Sequence, residues 1–187
     1  MNQKDSGQEI EIIFADGMSD DGTREIIEGH IQNNGNIQLI DNPEKIVSTG
    51  FNRALNESKG DIIIRVDGHC AIAPDYIQKC LEFLEKINAD CVGGSTEHVA
   101  SGLVGKSIKL AQSSFFGVGG VSFRKNVEKG QYVDTLAFGA YKRKVFDHLG
   151  GYDEELVRNQ DDEFNFRMIQ NDGKIWLDPS IKSTYTQ

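Results

Sequence analysis

A carboxylate and an imidazole directly follow an apolar run in residues 62–70, which read IIIRVDGHC. The run predicts a buried strand, with Asp67 and His69 at its end and only Gly68 between them. Such side chains can hold Mn²⁺ or Mg²⁺, which need few protein ligands when they are bound to a diphosphate. The same residues would also suit a solvated turn, so the sequence leaves both interpretations open.

A second carboxylate, Asp16, follows the apolar segment 9–15 and precedes Gly17. The strand predicted there would lead into a helix, whose first N–H groups and dipole favour anions. Because ligands bind at the carboxyl ends of parallel strands, Asp16 and Asp67 would share one edge of a sheet. Alternatively, Asp16 forms a turn and caps the helix.

Three consecutive acids, Asp161, Asp162 and Glu163, stand where a helix is predicted to begin. Acids at this position stabilise a helix through its dipole, which would explain all three. The chemical alternative makes one of them a general base, a role that contributes about 10²–10⁴-fold in rate.

The elements that must position these acids alternate along the first half of the chain. Strands are predicted at 9–15, 37–40, 62–67 and 90–94, with helices at 24–32, 49–59 and 74–88. This order predicts an α/β fold with a mostly parallel central sheet and helices on both faces. Further on, strands are predicted at 135–141, 174–177 and 181–185, with helices at 143–149 and 162–171.

The length of 187 residues predicts one domain over 1–187, in which the glycine-punctuated region 95–130 is loosely structured. A net charge of −9 argues against nucleic acid as a partner, because binding to it needs a cationic surface. Three cysteines without CxxC spacing predict no disulfide framework and a reducing, cytoplasmic compartment.

Taken in order, these features resemble the family-2 inverting glycosyltransferases of the GT-A fold, a group that transfers sugars from nucleotide-diphospho-sugars. The segments that match the family pattern are 15–23, 52–55 with Gly60, 67–69, 150–154 and 160–167. Residues 92–94, 119–120, 134–135 and 138–141 further resemble the subgroup that makes bacterial exopolysaccharide, of the succinoglycan-synthesis type.

The resemblance implies a role for each candidate residue. Asp16 would contact the base or ribose of the donor, and Asp67 would serve the nucleotide-sugar. His69 stands where the family has a metal-binding acid, so Asp67 and His69 would hold Mn²⁺ or Mg²⁺. Asp161 would be the catalytic base that takes the proton of the acceptor hydroxyl.

It further implies that Gly139 and Ala140 leave space beside the sugar. The donor would be a UDP-sugar, and the acceptor a saccharide or a lipid-linked saccharide. The full-length protein would work in the cytoplasm, at the inner face of the cytoplasmic membrane.

The sequence also departs from the family pattern. Gly17 and Gln160 replace acids, and the chain starts just before the family's second strand. We therefore expect a fragment whose sheet lacks the first strand and exposes apolar edges that pair with another chain. Two alternatives to an active enzyme stay open, namely a catalytically incompetent fragment that binds nucleotide-sugar and a regulatory α/β domain that binds phosphate.

Overall fold

The fold was analysed in a computed structural model that describes residues 3–4, 6–99, 128–136 and 138–186. The first half contains β1 (Ile12–Asp16), α1 (Thr23–Ile31), β2 (Ile37–Asp41), α2 (Val47–Glu57), β3 (Ile62–Ile64), β4 (Cys70–Ile72), α3 (Tyr76–Lys86) and β5 (Cys91–Val99). The second half contains β6 (Gln131–Val133), β7 (Ala140–Lys142), α4 (Arg143–Leu149), α5 (Gln160–Gln170) and β8 (Ile175–Thr186). Most of the region 95–130 lies outside the described residues.

The strands form two separate sheets. β1 and β2 pair in parallel, which places Asp16 opposite Asp41. The other six strands form a sheet with the order β3-β7-β5-β8-β4, and β6 also pairs with β8. In this sheet only β5 and β8 run parallel among the described residues.

The predicted mostly parallel sheet is therefore wrong for the described part of the chain. The strand–helix alternation correctly predicted the order of elements up to β3, but it missed β4 and could not show that β7 lies between β3 and β5. β7 runs antiparallel to both of these strands. The short strand β4 also follows β3 through a turn rather than through a helix, and it pairs antiparallel to β8.

The longest strand, β8, was predicted as two strands separated by residues 178–180. In this segment the Asp178 carboxylate accepts hydrogen bonds from the N–H and the hydroxyl of Ser180, and pairing with β5 stops at Leu177 and resumes at Lys182. Gly94 lies opposite, where the register between β5 and β8 shifts. A Cβ atom on Gly94 would come within 1.7 Å of the carbonyl oxygen of Ile181, so only glycine fits there.

The six-stranded sheet buries apolar side chains on both faces, as predicted. Tyr141 packs on one face with Phe146 of α4 and Phe164 of α5. Its neighbour Ala140 points to the other face, where it packs against Tyr76 of α3, because successive side chains in a strand alternate. No helix in the described ranges has both the length and the apolar character that crossing a bilayer requires.

Candidate functional site

Asp67 and His69 lie in a tight turn that joins β3 to β4. The turn is closed by a hydrogen bond of 2.9 Å from the N–H of Cys70 to the carbonyl oxygen of Asp67. A Cβ atom on Gly68 would meet nothing within 4 Å, so the turn faces open space. Residues 67–69 border a cavity of about 460 Å³. The strand predicted at 62–67 therefore ends earlier, at Ile64, and the carboxylate and the imidazole lie in the turn that follows it.

The cavity runs between the two sheets. Its walls come from β1, α2, β3 and the turn that follows β3. Ile62, Ile63 and Ile64 all line it, although successive residues of a strand point to opposite faces, so β3 presents its edge to the cavity. In the described part of the chain, β1 pairs only with β2, and β3 pairs only with β7. Both strands thus have an unpaired edge, and residues of both line this cavity.

The side chain of Arg65 holds the carboxylate of Asp67. Its Nε and Nη2 atoms donate to Oδ1 and Oδ2 of Asp67, each at 2.8 Å, and its side chain is only 13% exposed. The guanidinium also lies 5.8 Å from the centre of the Tyr152 ring. Burial alone would lower the pKa of Arg65. Its interactions with Tyr152 and Asp67 outweigh burial and raise the pKa above the usual value, so Arg65 stays charged. Sequence reasoning missed this residue, although a cation in an apolar strand was a visible signal.

His69 lines the same cavity, and its ring meets that of Tyr185 edge-on with the centroids 4.3 Å apart. An imidazole and a carboxylate suit Mn²⁺ and leave positions for phosphate oxygens. No group of three potential metal ligands occurs in the described residues. Asp67 and His69 are ligands of the kinds that Mn²⁺ accepts, and its remaining positions would be filled by oxygens of the substrate or of water.

Asp161 lies at the start of α5 and is half-buried. Burial raises the pKa of its carboxyl, the positive charge of Arg65 opposes this rise, and the charge of Asp162 adds to it. Asp161 in turn helps to raise the pKa of Tyr152. Arg65 and Tyr152 thus lie within electrostatic reach of Asp161, so the guanidinium that pairs with Asp67 also acts on the charge of Asp161.

The two neighbouring acids are engaged by other side chains. Asp162 accepts a hydrogen bond of 2.7 Å from the hydroxyl of Thr135. Glu163 accepts two hydrogen bonds of 2.8 Å from Arg167, which also donates to the carbonyl oxygens of Leu149 and Gly151. By contrast, no side chain of the described residues donates to Asp161. Of the three acids, Asp161 is therefore the one that is available to a substrate hydroxyl.

Asn52 of α2 fixes the loop that carries Tyr152. Its side-chain oxygen accepts from the N–H of Tyr152, and its side-chain nitrogen donates to the carbonyl oxygen of Tyr152, both at 2.8 Å. The same nitrogen donates to Glu154 at 2.9 Å. The Tyr152 ring stacks on Phe51 with the centroids 4.2 Å apart. The sequence pattern gave Asn52 no role, because its partners are about 100 residues away.

Asp16 is buried at the end of β1, and its carboxylate is already occupied. It accepts hydrogen bonds from the N–H and the hydroxyl of Ser19 and from Arg24, at 2.9, 2.6 and 2.8 Å. Burial raises the pKa of Asp16, but these hydrogen bonds outweigh it and leave the pKa below its usual value. The alternative that Asp16 forms a turn describes its contacts here. Its predicted contact with a base or ribose stays a prediction, although the adjacent Gly17 lines the cavity.

Gly139 and Ala140 are packed inside the protein. Ala140 is fully buried in the core, and a Cβ atom on Gly139 would come within 2.5 Å of the sulfur of Cys91. Neither residue lines the cavity between the sheets. Their small size therefore has a packing reason, and no contact in this structure supports the prediction that they leave space beside a sugar.

Comparison with known proteins agrees with this architecture. Residues 1–150 match the family described as glycosyl transferase family 2. The chain is 30% identical over 176 residues to the succinoglycan biosynthesis protein ExoA of Rhizobium meliloti. This alignment covers 93% of this chain and 53% of ExoA. It is 26% identical over 193 residues to a Methanococcus voltae enzyme, a dolichyl N-acetyl-alpha-D-glucosaminyl phosphate 3-beta-D-2,3-diacetamido-2,3-dideoxy-beta-D-glucuronosyltransferase, covering 98% of this chain and 59% of that enzyme.

Two solved structures share the fold. TarS 1-349 of S. aureus in complex with UDP has a TM-score of 0.75 and 18% identity, covering 100% of this chain and 54% of that one. GalNAc-T7 with UDP, GalNAc and Mn²⁺ has a TM-score of 0.75 and 16% identity, covering 99% and 39%. The chain therefore has a GT-A-like fold and spans between half and three-fifths of the length of the curated relatives it matches. On the match over residues 1–150, it belongs to glycosyl transferase family 2.

Proposed function

We propose that this chain is the catalytic domain of an inverting glycosyltransferase that uses a UDP-sugar as donor and a saccharide or lipid-linked saccharide as acceptor. One observation carries the proposal: Asp67, at the border of the cavity, pairs with Arg65, and the charge of the same Arg65 acts on Asp161, the acid to which no described side chain donates. A candidate base and a candidate site for the diphosphate are thus brought together from distant parts of the chain.

In the proposed reaction, an acceptor hydroxyl approaches Asp161. Its oxygen attacks the anomeric carbon while its proton passes to the Asp161 carboxylate. The bond from that carbon to the diphosphate oxygen breaks on the opposite side, and the electron pair leaves with the nucleoside diphosphate. This displacement inverts the configuration at the anomeric carbon. Arg65 supplies positive charge where negative charge develops, which is the usual source of stabilisation in such transfers.

Asp67 and His69 are the residues that would hold a divalent cation. When bound, the cation neutralises charge on the departing diphosphate. The relatives support this assignment by analogy, since TarS has been crystallised with UDP and with UDP-GlcNAc, and GalNAc-T7 with UDP, GalNAc and Mn²⁺. The name of the Rhizobium relative supports a role in polysaccharide biosynthesis. A lipid-linked acceptor would place the full-length protein at the inner face of the cytoplasmic membrane.

Calorimetry with UDP, with and without Mn²⁺, combined with an assay for UDP release from UDP-sugars, tests this function. We expect UDP to bind, Mn²⁺ to strengthen the binding, and Asp67→Ala to remove that gain. Binding without turnover would instead indicate an incompetent nucleotide-sugar-binding fragment. If neither Mn²⁺ nor the Asp67→Ala substitution changed the affinity for UDP, the chain would instead be a regulatory phosphate-binding domain.

Within the described ranges, β1 and β3 each have an unpaired edge, and these edges support a second part of the proposal, which is self-association. An open apolar edge is a template for pairing with another chain. We propose that a second copy contributes the pairing strand, and we expect a concentration-dependent dimer in sedimentation velocity. Replacing Ile64 of β3 with proline would remove an N–H from the open edge and should weaken the dimer, whereas Ile63 faces Tyr141 of β7. A monomer at every concentration would contradict this part and would leave the enzymatic assignment intact.

A further inference from the structure

Arg65 occupies the carboxylate that a divalent cation would need. Both oxygens of Asp67 accept hydrogen bonds from the guanidinium, each at 2.8 Å, and both side chains are largely buried, with 13% and 23% exposure. A two-point pair of this kind is strong and directionally fixed. The negative charge of Asp67 is therefore already balanced in the ligand-free chain.

A cation that bound Asp67 alone would lie close to this guanidinium. Two positive charges repel each other at such short range, and the low exposure of the pair limits screening by solvent. The other candidate ligand, His69, is neutral when it binds a metal and adds no negative charge. In the described residues, no third ligand stands with these two. A free divalent cation therefore has little reason to bind here.

A nucleoside diphosphate changes this balance because it brings negative charge of its own. Its phosphate oxygens can contact the guanidinium and the cation together, so that Arg65 and the cation share Asp67 and the diphosphate. We propose that Arg65 couples the two ligands: it suppresses cation binding to the empty site and allows it once the diphosphate is present. This inference rests on the proposed nucleotide-binding function and adds to it an order of binding, in which the diphosphate favours the later binding of the cation.

Arg65 could instead be a purely structural residue that fixes the turn through Asp67. The two roles predict opposite changes in the affinity for Mn²⁺ when the guanidinium is removed. A structural role predicts that loss of the guanidinium weakens the binding of every ligand. A coupling role predicts that the binding of Mn²⁺ alone becomes stronger while the cooperation between Mn²⁺ and UDP disappears.

The experiment measures the binding of Mn²⁺ alone, of UDP alone and of each in the presence of the other, by calorimetry and by the EPR signal of free Mn²⁺. In the parent chain we expect UDP to strengthen Mn²⁺ binding by a factor within the usual coupling range of about 5–150. In Arg65→Met we expect Mn²⁺ alone to bind roughly tenfold more tightly, since the repelling charge is gone. The coupling factor should then fall below about three, outside that usual range.

Two further variants keep the test decisive. Arg65→Lys retains the charge but loses the two-point pair, so it should fold and give an intermediate coupling factor, even if Arg65→Met does not fold. Arg53→Met removes an arginine from an exposed pair with Glu44 and should leave both affinities unchanged. Folding of each variant is checked by circular dichroism and by urea unfolding.

The possible outcomes separate this inference from the function on which it rests. If UDP binds and Arg65→Met or Arg65→Lys leaves the coupling factor at the parent value, the coupling role is overturned and the nucleotide site stands. The same holds if the binding of Mn²⁺ alone becomes weaker in these variants. If UDP fails to bind the parent chain both with and without Mn²⁺, the proposed function itself fails.

Discussion

Arg65 donates hydrogen bonds to both carboxylate oxygens of Asp67, and its positive charge partly opposes the rise that burial causes in the pKa of Asp161. A single buried guanidinium thus connects the end of β3 to the start of α5. Effects of substitutions at Asp67 and Asp161 should therefore not be independent, because both carboxylates interact with the same cation.

Asp161→Asn should abolish turnover while leaving UDP binding within severalfold of the parent. The amide cannot take a proton from the acceptor, and a general base contributes about 10²–10⁴-fold in rate. Initial rates of UDP release and calorimetry with UDP measure the two properties. Asp172→Asn, an exposed position just after α5, provides the matched control. Full activity in Asp161→Asn would end the assignment of Asp161 as the base.

The turnover rate should fall on acidification at a higher pH than an ordinary aspartate would produce. Burial raises the pKa of Asp161, and only the deprotonated carboxylate can act as base, so activity is present above this pKa and lost below it. A pH–rate profile whose acidic limb lies near the ordinary aspartate value of about 3.9 would contradict this expectation.

The same pKa shift predicts how stability depends on pH. A carboxyl whose pKa is raised by folding holds its proton more tightly in the folded state, so its contribution to stability falls as the pH rises through the raised pKa. At neutral pH, Asp161→Asn should therefore be at least as stable as the parent chain. Urea unfolding of both proteins at several pH values checks the sign, since the advantage of the variant should grow with pH.

Asn52→Ala should destabilise the fold. The substitution leaves the N–H and the carbonyl oxygen of Tyr152 without their partners, and such losses cost about 1–3 kcal/mol each when the groups are buried. Asn56→Ala, on an exposed position of the same helix, is the control and should have little effect. Equal midpoints of urea unfolding in the two variants would mean that the hydrogen bonds from Asn52 to Tyr152 contribute nothing to stability.

Substitutions at Gly139 and Gly68 distinguish a role in core packing from a role in contact with the substrate. Gly139→Ala would place a methyl group 2.5 Å from the sulfur of Cys91 and should cost about 1–3 kcal/mol, as overpacking in a core does. Gly68→Ala meets open space at the turn and should leave stability close to that of the parent. If Gly139→Ala were fully stable and lost only donor binding, Gly139 would belong beside the sugar, as the family resemblance implies.

Local sequence patterns predicted most of the elements and the acids of the site. The apolar spacing placed α1, α2, α3 and α5 within a few residues of their observed bounds and predicted α4 at Arg143–Leu149. The position of Asp67 after a buried strand and the helix-start position of Asp161 were also predicted from neighbouring residues alone, although β3 ends at Ile64 and not at Asp67. The family resemblance implied that these two acids serve one site, but it gave no role to Arg65, whose action on both depends on the tertiary fold.

The failures have a common physical cause, which is that they depend on distant partners. The direction of β7 follows from its place between β3 and β5, and nothing within residues 140–142 encodes that place. Asn52 acts on a loop about 100 residues away. Arg65 was not predicted as a site residue, because a charged residue next to an apolar segment has no evident role until its partners in the fold are known.

The separation of the strands into two sheets has a consequence for motion. In the described residues, β1 and β2 share no strand pairing with the larger sheet, whereas β8 is paired to three other strands. We therefore expect the amide protons of the smaller sheet to exchange with solvent faster than those of β8. A molecule that bridges the two walls of the cavity would slow exchange selectively in β1 and β2, so occupancy could be observed as a change in local protection even without turnover.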